Sequence, residues 1–428
     1  MPNPESGGSP IVSAAEPPYA RRMVALTAAA RPQPRQLASP ANALFLGLFA
    51  SQAGILVLSP ILVDIARDFG VSTAVAGQLR LVAAPLAALV AVAVARAGRL
   101  PLRSLLSAGA ALVAIGSLAS AAAPSFGLLA FAQVPTWVGA AILVAAGVGA
   151  AGTWGAAEQR GRTMARALAG PPAAWIVGMP LIGLVAEVHW RLAFLVLPLP
   201  AGLLALAAFA ARPADAPDHR AGASVTRLLR EPGAKGWATG ELLANAAWTG
   251  TLVFSGALLV EGHGTSPKVA GVLLALVAVA YLAGNQLAQR VDRGRTRRAL
   301  VRGDLAAAAG VGLLWAATPN LATTVLLFCA AAYAAAARTL WGTSYGFVVA
   351  GERKLEAGAL RAVATQLGYL IGSLLGGIAL ATGGYDLMGL VFAGLFAAAA
   401  LPHLCLSASR CAGRGRLSLR EAAIAAAP

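Results

Sequence analysis

The chain has 428 residues, of which 58% are hydrophobic and only 12% charged, and its mean hydropathy is +0.72. Soluble domains carry about 25% charged residues, so this composition excludes a soluble globular protein and indicates membrane-spanning helices. The apolar runs are continuous rather than alternating with a period of two, which argues against a β-barrel.

The net charge of +16 follows the topology of a membrane protein. All but five of the 33 Lys and Arg residues fall in the two tails or in the even-numbered loops between apolar segments. By the positive-inside rule, this distribution predicts an even number of spans with both termini in the cytoplasm. It also explains the basicity without nucleic acid, because basic loops contact anionic lipid headgroups. Arg greatly outnumbers Lys, which is typical of a GC-rich bacterial genome, so we expect a multi-pass protein of the bacterial inner membrane.

The elements follow one another in a regular order along the chain. Residues 1–40 are proline-rich and lack the apolar core of a signal peptide, so we expect a disordered cytoplasmic tail. A first half, residues 41–211, contains apolar segments at about 42–63, 74–95, 104–123, 126–150, 167–186 and 192–210. Residues 212–236 are polar and predict a cytoplasmic linker with a short surface helix around Val225 to Arg230. A second half, residues 237–408, contains segments at about 237–260, 269–290, 303–318, 322–347, 362–382 and 387–408, and residues 409–428 form a cytoplasmic tail.

The two halves repeat each other at an offset of 194 residues. GVSTAVAG at residues 70–77 corresponds to GTSPKVAG at 264–271, and WIVGMPLIG at 175–183 corresponds to YLIGSLLGG at 369–377. The predicted fold class is therefore an all-α membrane protein with twelve transmembrane helices in two pseudo-symmetric halves of six. Parallel repeats of this kind place a substrate site between the halves, near the middle of the membrane.

Several segments resemble bacterial exporters of the major facilitator superfamily, above all drug:proton antiporters and sugar-efflux permeases. They are the stretch from Leu58 to Gly77, the loop RAGRLPLR at residues 96–103, GMPLIG at 178–183 and HWRLAF at 189–194. The resemblance implies the twelve-helix fold and secondary transport. In the cytoplasmic loop motif Arg96, Gly98 and Arg99 match the family, with Arg290 and Arg293 in the second half. However, Ala95 and Gln289 stand where the family has an Asp, and Gln133 lies where it often has a proton-relay Arg.

Three ionisable residues lie within apolar segments, where a charge costs about 2.5–3.5 kcal/mol and therefore faces protein or a wet cavity. Glu241 shares a helical face with Asn245 and Trp248, which predicts a cavity wall with a proton-coupling carboxylate; the alternative is an acid that stabilises the start of the helix. Arg338 is expected either to pair with Glu241, as a gate that forms when the inner side closes, or to snorkel to the interface. Arg80 is expected to bind an anionic group, to meet Asp64 or Asp68, or to snorkel.

Other intramembrane polar and aromatic residues are candidates for the wall of a substrate cavity. Amide and aromatic side chains together suit amphipathic organic molecules, although each residue alone is as well explained by helix packing. These candidates are Gln52, Gln133, Trp137, Trp175, Tyr333, Gln366 and Tyr369.

The sequence carries no nucleotide-binding loop, no metalloprotease or hydrolase motif, and no cysteine spacing typical of a metal site. We therefore predict a non-enzymatic monomer without cofactor or metal, which binds a small molecule in the bilayer and exports it in exchange for protons by alternating access. The first alternative is a transporter of anionic metabolites that uses the intramembrane arginines. The second is a membrane scaffold that transports nothing.

Overall fold

The structure, a computed structural model, describes residues 39–96, 100–151, 153–154, 158, 160–212, 225–288, 296–316, 320–351 and 353–425, with side chains as far as residue 404. All regular elements in these residues are helical. The helices of the first half are α1 Pro40–Leu56, α2 Leu58–Asp68, α3 Thr73–Ala76, α4 Arg80–Arg96, α5 Leu102–Ala122, α6 Phe126–Ala151, α7 Arg160–Leu168, α8 Gly170–Ala186, α9 Leu192–Val196 and α10 Pro198–Ala210. They are followed by α11 Val225–Leu228, α12 Ala234–Ala257, α13 Pro267–Ala288, α14 Thr296–Ala316, α15 Leu321–Ala350 and α16 Lys354–Ala425.

These helices form twelve spans. Eleven helical segments of the described chain are long and apolar enough to cross a membrane, and the last of them, Glu356–Leu404, contains two spans. The helical path of α16 breaks at Gly383 and Gly384, where Gly384 has a φ of +68° that glycine adopts without strain. The prediction of an all-helical membrane protein with twelve spans in two halves is confirmed.

We number the spans 1 to 12. In the first half, α1 with α2 forms span 1, α3 with α4 span 2, α5 span 3, α6 span 4, α7 with α8 span 5, and α9 with α10 span 6. In the second half, α12 to α15 form spans 7 to 10, and α16 holds span 11 before the glycine break and span 12 after it. With six spans in each half, the start of span 1, the end of span 6, the start of span 7 and the end of span 12 lie on one side of the molecule, next to the linker helix α11. We call this side the linker side and the opposite one the far side.

The sequence repeat has a structural counterpart at the far-side ends of spans 2 and 8. The Ser72 hydroxyl caps the start of span 2 by accepting a hydrogen bond from the Val75 backbone N–H at 3.3 Å. Ser266 caps span 8 in the same way, through the backbone N–H of Val269 at 3.4 Å. A capping hydroxyl satisfies an N–H group that has no partner inside the helix, so the repeated serines start the repeated helices.

The repeated glycines bring the two halves together. Gly183 of span 5 lies against the backbone of Pro267 at the start of span 8. Its repeat partner Gly377, in span 11, lies against the backbone of Ala74 at the start of span 2. A side chain at either glycine would collide with that backbone, so close helix contact requires these small residues. The repeat therefore encodes two equivalent contacts between the halves.

The hydrogen bonds between described residues of the two halves lie from the middle of the molecule to the far side. Ser59 of span 1 donates to the backbone carbonyl of Leu252 in span 7 at 2.7 Å. At the far-side surface, Thr73 donates to Glu261 at 2.5 Å and Ser266 donates to Glu187 at 2.8 Å. On the linker side, α7 of span 5 packs against spans 1 and 4 of its own half. In the described residues, the halves are therefore joined in the middle of the molecule and closed on the far side.

Spans 9 and 11 begin earlier than the hydrophobic pattern predicts, as does span 5, which begins at Arg160 rather than near residue 167. Span 9 begins at Thr296 rather than near residue 303, and span 11 begins at Lys354 rather than near residue 362. The first two turns of span 9 are basic, and those of span 11 contain both Lys354 and Glu356, so hydropathy alone misses them. As a consequence, Asp304 and Arg361 lie well inside helices, although the predicted boundaries place them at segment ends.

The predicted N-terminal tail lies outside the described residues except for its last two, and residues 213–224 of the predicted linker also lie outside them. The short helix Val225–Leu228 is found where a linker helix was predicted. It inserts the fully buried Leu228 into a small core on the linker side, formed with Trp237, Leu300 and Tyr345. Beyond span 12 the helix continues to Ala425, through most of the predicted C-terminal tail.

Candidate functional site

Arg80 lies buried between the two halves, near the middle of the molecule. Its side chain comes from the first turn of α4 in span 2, and only 3% of the residue is exposed. One guanidinium nitrogen, Nη2, donates to the backbone carbonyl of Ile55 at 3.1 Å. The other two, Nε and Nη1, are buried and have no hydrogen-bond partner. Arg80 forms no ion pair with any described residue, so the expectations that it meets Asp64 or Asp68, or snorkels to the surface, are wrong.

Two aromatic residues enclose the Arg80 guanidinium. Its Cζ lies 5.3 Å from the ring centroid of Trp137 in span 4 and 5.2 Å from that of Tyr369 in span 11. The two rings meet edge to face at 5.0 Å. The indole Nε1 of Trp137 is also buried without a partner. Since Trp137 and Arg80 belong to the first half and Tyr369 to the second, this cluster joins the halves.

The surroundings of the Arg80 cluster are apolar. Small residues of spans 2 and 4 pack around it, together with the buried Ile55 of span 1. A buried cation without an anion is costly, and a buried N–H without an acceptor costs about 1–3 kcal/mol. The cluster therefore combines unsatisfied donors, a positive charge and an apolar lining, which are the features of a site for an anion with an apolar body.

A second group of charges lies on the linker side, entirely within the second half. Arg338 of span 10 donates from Nη1 to Glu241 of span 7 and from Nε to Asp304 of span 9, both at 2.6 Å. Its Nη2 donates to the carbonyl of Gly240 at 3.0 Å. The second oxygen of Glu241 accepts a hydrogen bond at 3.2 Å from Arg361 of span 11. We call these four residues the charge cluster.

The charge cluster changes two interpretations made from the sequence. Arg338 and Glu241 do pair, but both belong to the second half, so their pair cannot close a gate between the halves. Arg338 is 2% exposed and does not snorkel. Glu241 is not the one intramembrane acid, because Asp304 is equally buried. The sequence analysis does not identify Asp304 and Arg361, because the predicted starts of spans 9 and 11 place them at segment ends. A charged residue about two turns inside a helix that starts with charged residues is the signal that could have found them.

The predicted cavity wall of span 7 faces span 11. The Asn245 amide donates to the Glu241 backbone carbonyl at 2.7 Å, and its oxygen accepts a hydrogen bond from Thr365 at 3.3 Å. Trp248 is half-buried and stacks on Tyr281 of span 8 at 5.7 Å. Asn245 and Thr365 thus lie between the charge cluster and the Arg80 cluster.

The remaining predicted cavity residues divide into two groups. Gln52 accepts a hydrogen bond from the Trp175 indole at 3.2 Å, and both residues are half-buried in the first half. Gln366 precedes Tyr369 by one turn on span 11, and its amide oxygen is buried without a partner. By contrast, Gln133 is fully buried and donates to Ser120 at 2.8 Å, so it joins spans 3 and 4 rather than lining a groove. Tyr333 is 37% exposed, and its backbone packs beside Gly284 of span 8.

Of the loop motif predicted on the cytoplasmic side, only Arg96 is described, as an exposed residue at the end of α4. Gly98, Arg99, Arg290 and Arg293 lie outside the described residues. A search of the described chain for clusters of three or more His, Cys, Asp or Glu residues that could hold a metal finds none.

Comparison with known proteins identifies the family. The sequence profile of the Major Facilitator Superfamily matches residues 44–260, half of the chain. The chain belongs to the Major Facilitator Superfamily. It is therefore a multi-pass membrane protein of a transporter family, as the apolar helices also indicate. No curated protein sequence matches it.

Solved structures of superfamily members share its fold. A bacterial homologue of the human lysosomal transporter Spinster, in an inward-facing and occupied conformation, has a TM-score of 0.62 at 16% identity, over 85% of this chain and 92% of the homologue. The human organic anion transporter MFSD10 has a TM-score of 0.64 at 17% identity, over 87% of this chain and all of that one. At this identity the likeness concerns the fold alone.

Proposed function

We propose that this superfamily member is a secondary transporter of small organic anions, whose carboxylate binds at Arg80 between the two halves. The observation that carries the proposal is the buried Arg80 guanidinium, which has two nitrogens without a hydrogen-bond partner and no acidic partner among the described residues. Nε and Nη1 lie on different edges of the guanidinium, so a carboxylate there would accept a charge-assisted hydrogen bond from one of them, and the Trp137 N–H could supply a second donor.

The position of Arg80 fits alternating access. Its aromatic neighbours come from both halves, so an anion bound there would contact the surfaces that move relative to each other. The apolar residues around the cluster would accommodate an apolar body, such as a ring or a short alkyl chain. MFSD10, which shares the fold, is an organic anion transporter, and this agrees with the proposed cargo.

The test compares Arg80→Gln, Arg80→Lys and the control Arg67→Gln, which alters an exposed far-side arginine. Purified variants are titrated with benzoate, and uptake of labelled benzoate is measured in proteoliposomes. Loss of charge-assisted hydrogen bonds costs about 1.5–3 kcal/mol, so Arg80→Gln should bind benzoate roughly 10- to 100-fold more weakly. Arg80→Lys should retain part of the affinity, and Arg67→Gln all of it. Benzoate binding that is absent in the wild type, or unchanged in Arg80→Gln, would overturn the proposal.

The melting temperature of an Arg80 variant provides an independent test of the same proposal. In buffer without organic anions, Arg80→Met should melt at the same temperature as the wild type or higher, because it removes an uncompensated buried charge. Benzoate should stabilise the wild type and leave Arg80→Met unchanged. An arginine with a purely structural role would give the opposite result, a clear loss of stability on substitution.

Proton-coupled efflux of a small organic molecule is the second candidate function. Two buried carboxylates, Glu241 and Asp304, share Arg338, so the second positive charge that balances the pair comes from the partly exposed Arg361. A proton could replace Arg361 when that residue moves away. Glu241→Gln in proteoliposomes tests this coupling, since uptake or efflux driven by a pH gradient should be lost while exchange at equal pH remains. Unchanged pH-driven transport would remove Glu241 from the mechanism.

A further inference from the structure

We infer that Arg361 is a second anion-binding residue, which receives the anion on the linker side and releases it toward Arg80, and that Glu241 is a built-in competitor for the same guanidinium. The inference rests on the proposed transport of organic anions and adds a residue and a route to it.

Arg361 is the weakest member of the charge cluster. Arg338 makes two bonds of 2.6 Å to carboxylates and is 2% exposed, whereas Arg361 makes one bond of 3.2 Å and its side chain is 28% exposed. The bond joins Nε of Arg361 to Oε2 of Glu241, the oxygen that Arg338 does not contact. The strength of an ion pair falls with distance and with access of water, so Arg361 exchanges partners most readily.

The charges explain why Arg361 is attracted to Glu241 in the absence of an anion. The three fully buried members, Glu241, Asp304 and Arg338, together carry one net negative charge when ionised. Arg361 balances that charge from the edge of the cluster. A carboxylate of a ligand is the same chemical group as the Glu241 side chain, so the two compete directly for the Arg361 guanidinium.

A polar face of span 11 leads from Arg361 to the Arg80 cluster. Arg361, Thr365 and Tyr369 follow one another at intervals of four residues, which places them on one side of the helix. Thr365 bonds Asn245 of span 7 midway, and Tyr369 lies against Arg80. Eight residues of helix measure about 12 Å, so about that distance along span 11 separates Arg361 from Tyr369, against which Arg80 lies. Arg361 is nearer the linker-side start of span 11 than Tyr369, and it is more exposed than Arg80, so an anion that enters from the linker side meets Arg361 first.

The test uses Arg361→Gln, Glu241→Gln and the double variant, with benzoate as the probe. Arg361→Gln should weaken benzoate binding about tenfold, the loss of one charge-assisted contact. Glu241→Gln should strengthen it several-fold because the competitor is removed, and the double variant should behave like Arg361→Gln. Arg353→Gln is the control, because Arg353 is another linker-side arginine that pairs with Glu231 at the surface. If Glu241→Gln fails to fold, Glu241→Asp serves, since its shorter side chain keeps the charge but reaches Arg361 less well.

The outcomes separate this inference from the proposed function. Opposite effects of Arg361→Gln and Glu241→Gln on benzoate affinity support the competition. Equal weakening by both substitutions would mean that the pair is structural and would overturn the inference. Unchanged binding in Arg361→Gln, with loss in Arg80→Gln, would overturn the inference and leave the proposed function intact. Unchanged binding in both would overturn both.

Discussion

Arg338→Met should be among the most destabilising substitutions in the second half. The side chain donates to Glu241 and Asp304 at 2.6 Å each and to the carbonyl of Gly240 at 3.0 Å, all in a buried environment. Removing one partner of a buried ion pair costs about 3–5 kcal/mol, because the charge left behind is no longer compensated. We expect the free energy of unfolding to fall by that amount.

The geometry also identifies which carboxylate causes the loss. Glu241 would keep its contact with Arg361 at 3.2 Å. Asp304 would keep nothing, because Oδ1 loses its donor and Oδ2 has none already. Adding Asp304→Asn to Arg338→Met should therefore recover roughly half or more of the lost stability, and adding Glu241→Gln should recover clearly less.

Unfolding in detergent micelles, followed by tryptophan fluorescence, measures these differences. Arg302→Met is the matched control, because Arg302 lies on the same helix as Asp304 but is exposed, and its loss should change stability by less than about 0.5 kcal/mol. Losses from Arg338→Met and Asp304→Asn that simply add would refute the reasoning, since the uncompensated carboxylate would then not be the source of the instability.

Two further predictions concern the far side. Glu187→Gln with Glu261→Gln weakens the two exposed contacts that join the halves, each worth about 0.5–1.5 kcal/mol, so the far side should open more often. Ser255 is 1% exposed, so a cysteine placed there by Ser255→Cys should react slowly with a maleimide while the far side is closed. In the double Glu variant its labelling should become several-fold faster. An unchanged rate would show that the two contacts do not hold this side closed. Arg191→Met removes the ion pair with Asp68 at 2.9 Å and the cation–π contact with Trp190 at 4.5 Å. It should lower the free energy of unfolding by about 1–2 kcal/mol in the same micelle assay. A loss no larger than that of the control Arg67→Met would contradict this estimate.

The sequence predicts the spans well and the chemistry poorly, for one physical reason. Hydropathy reports what a helix exposes to lipid, so it detects twelve apolar stretches, and the repeat detects glycines such as Gly183 that must lie against a backbone. Hydropathy does not report how far a helix extends beyond its apolar part. For this reason Asp304 and Arg361 were overlooked, although the Glu241 to Arg338 pair could be anticipated from two isolated charges. Nothing in the pattern of the chain could show that Arg80 would lack an acidic partner, because that depends on neighbours from three other spans.

The repeat itself indicates that the charge cluster is not required for folding. In the first half the positions that correspond to Glu241, Asp304, Arg338 and Arg361 are Gly47, Ala110, Val144 and Ala167. These residues are small or apolar: Gly47 packs against Phe209, and both alanines are fully buried. The same arrangement of helices is thus stabilised by ordinary apolar packing in one half and by four charges in the other. Buried ion pairs rarely stabilise a fold more than apolar residues of similar volume. The charges of the second half therefore have to be explained by what they bind or exchange, and this is why Arg361 and Glu241 are the residues to test after Arg80.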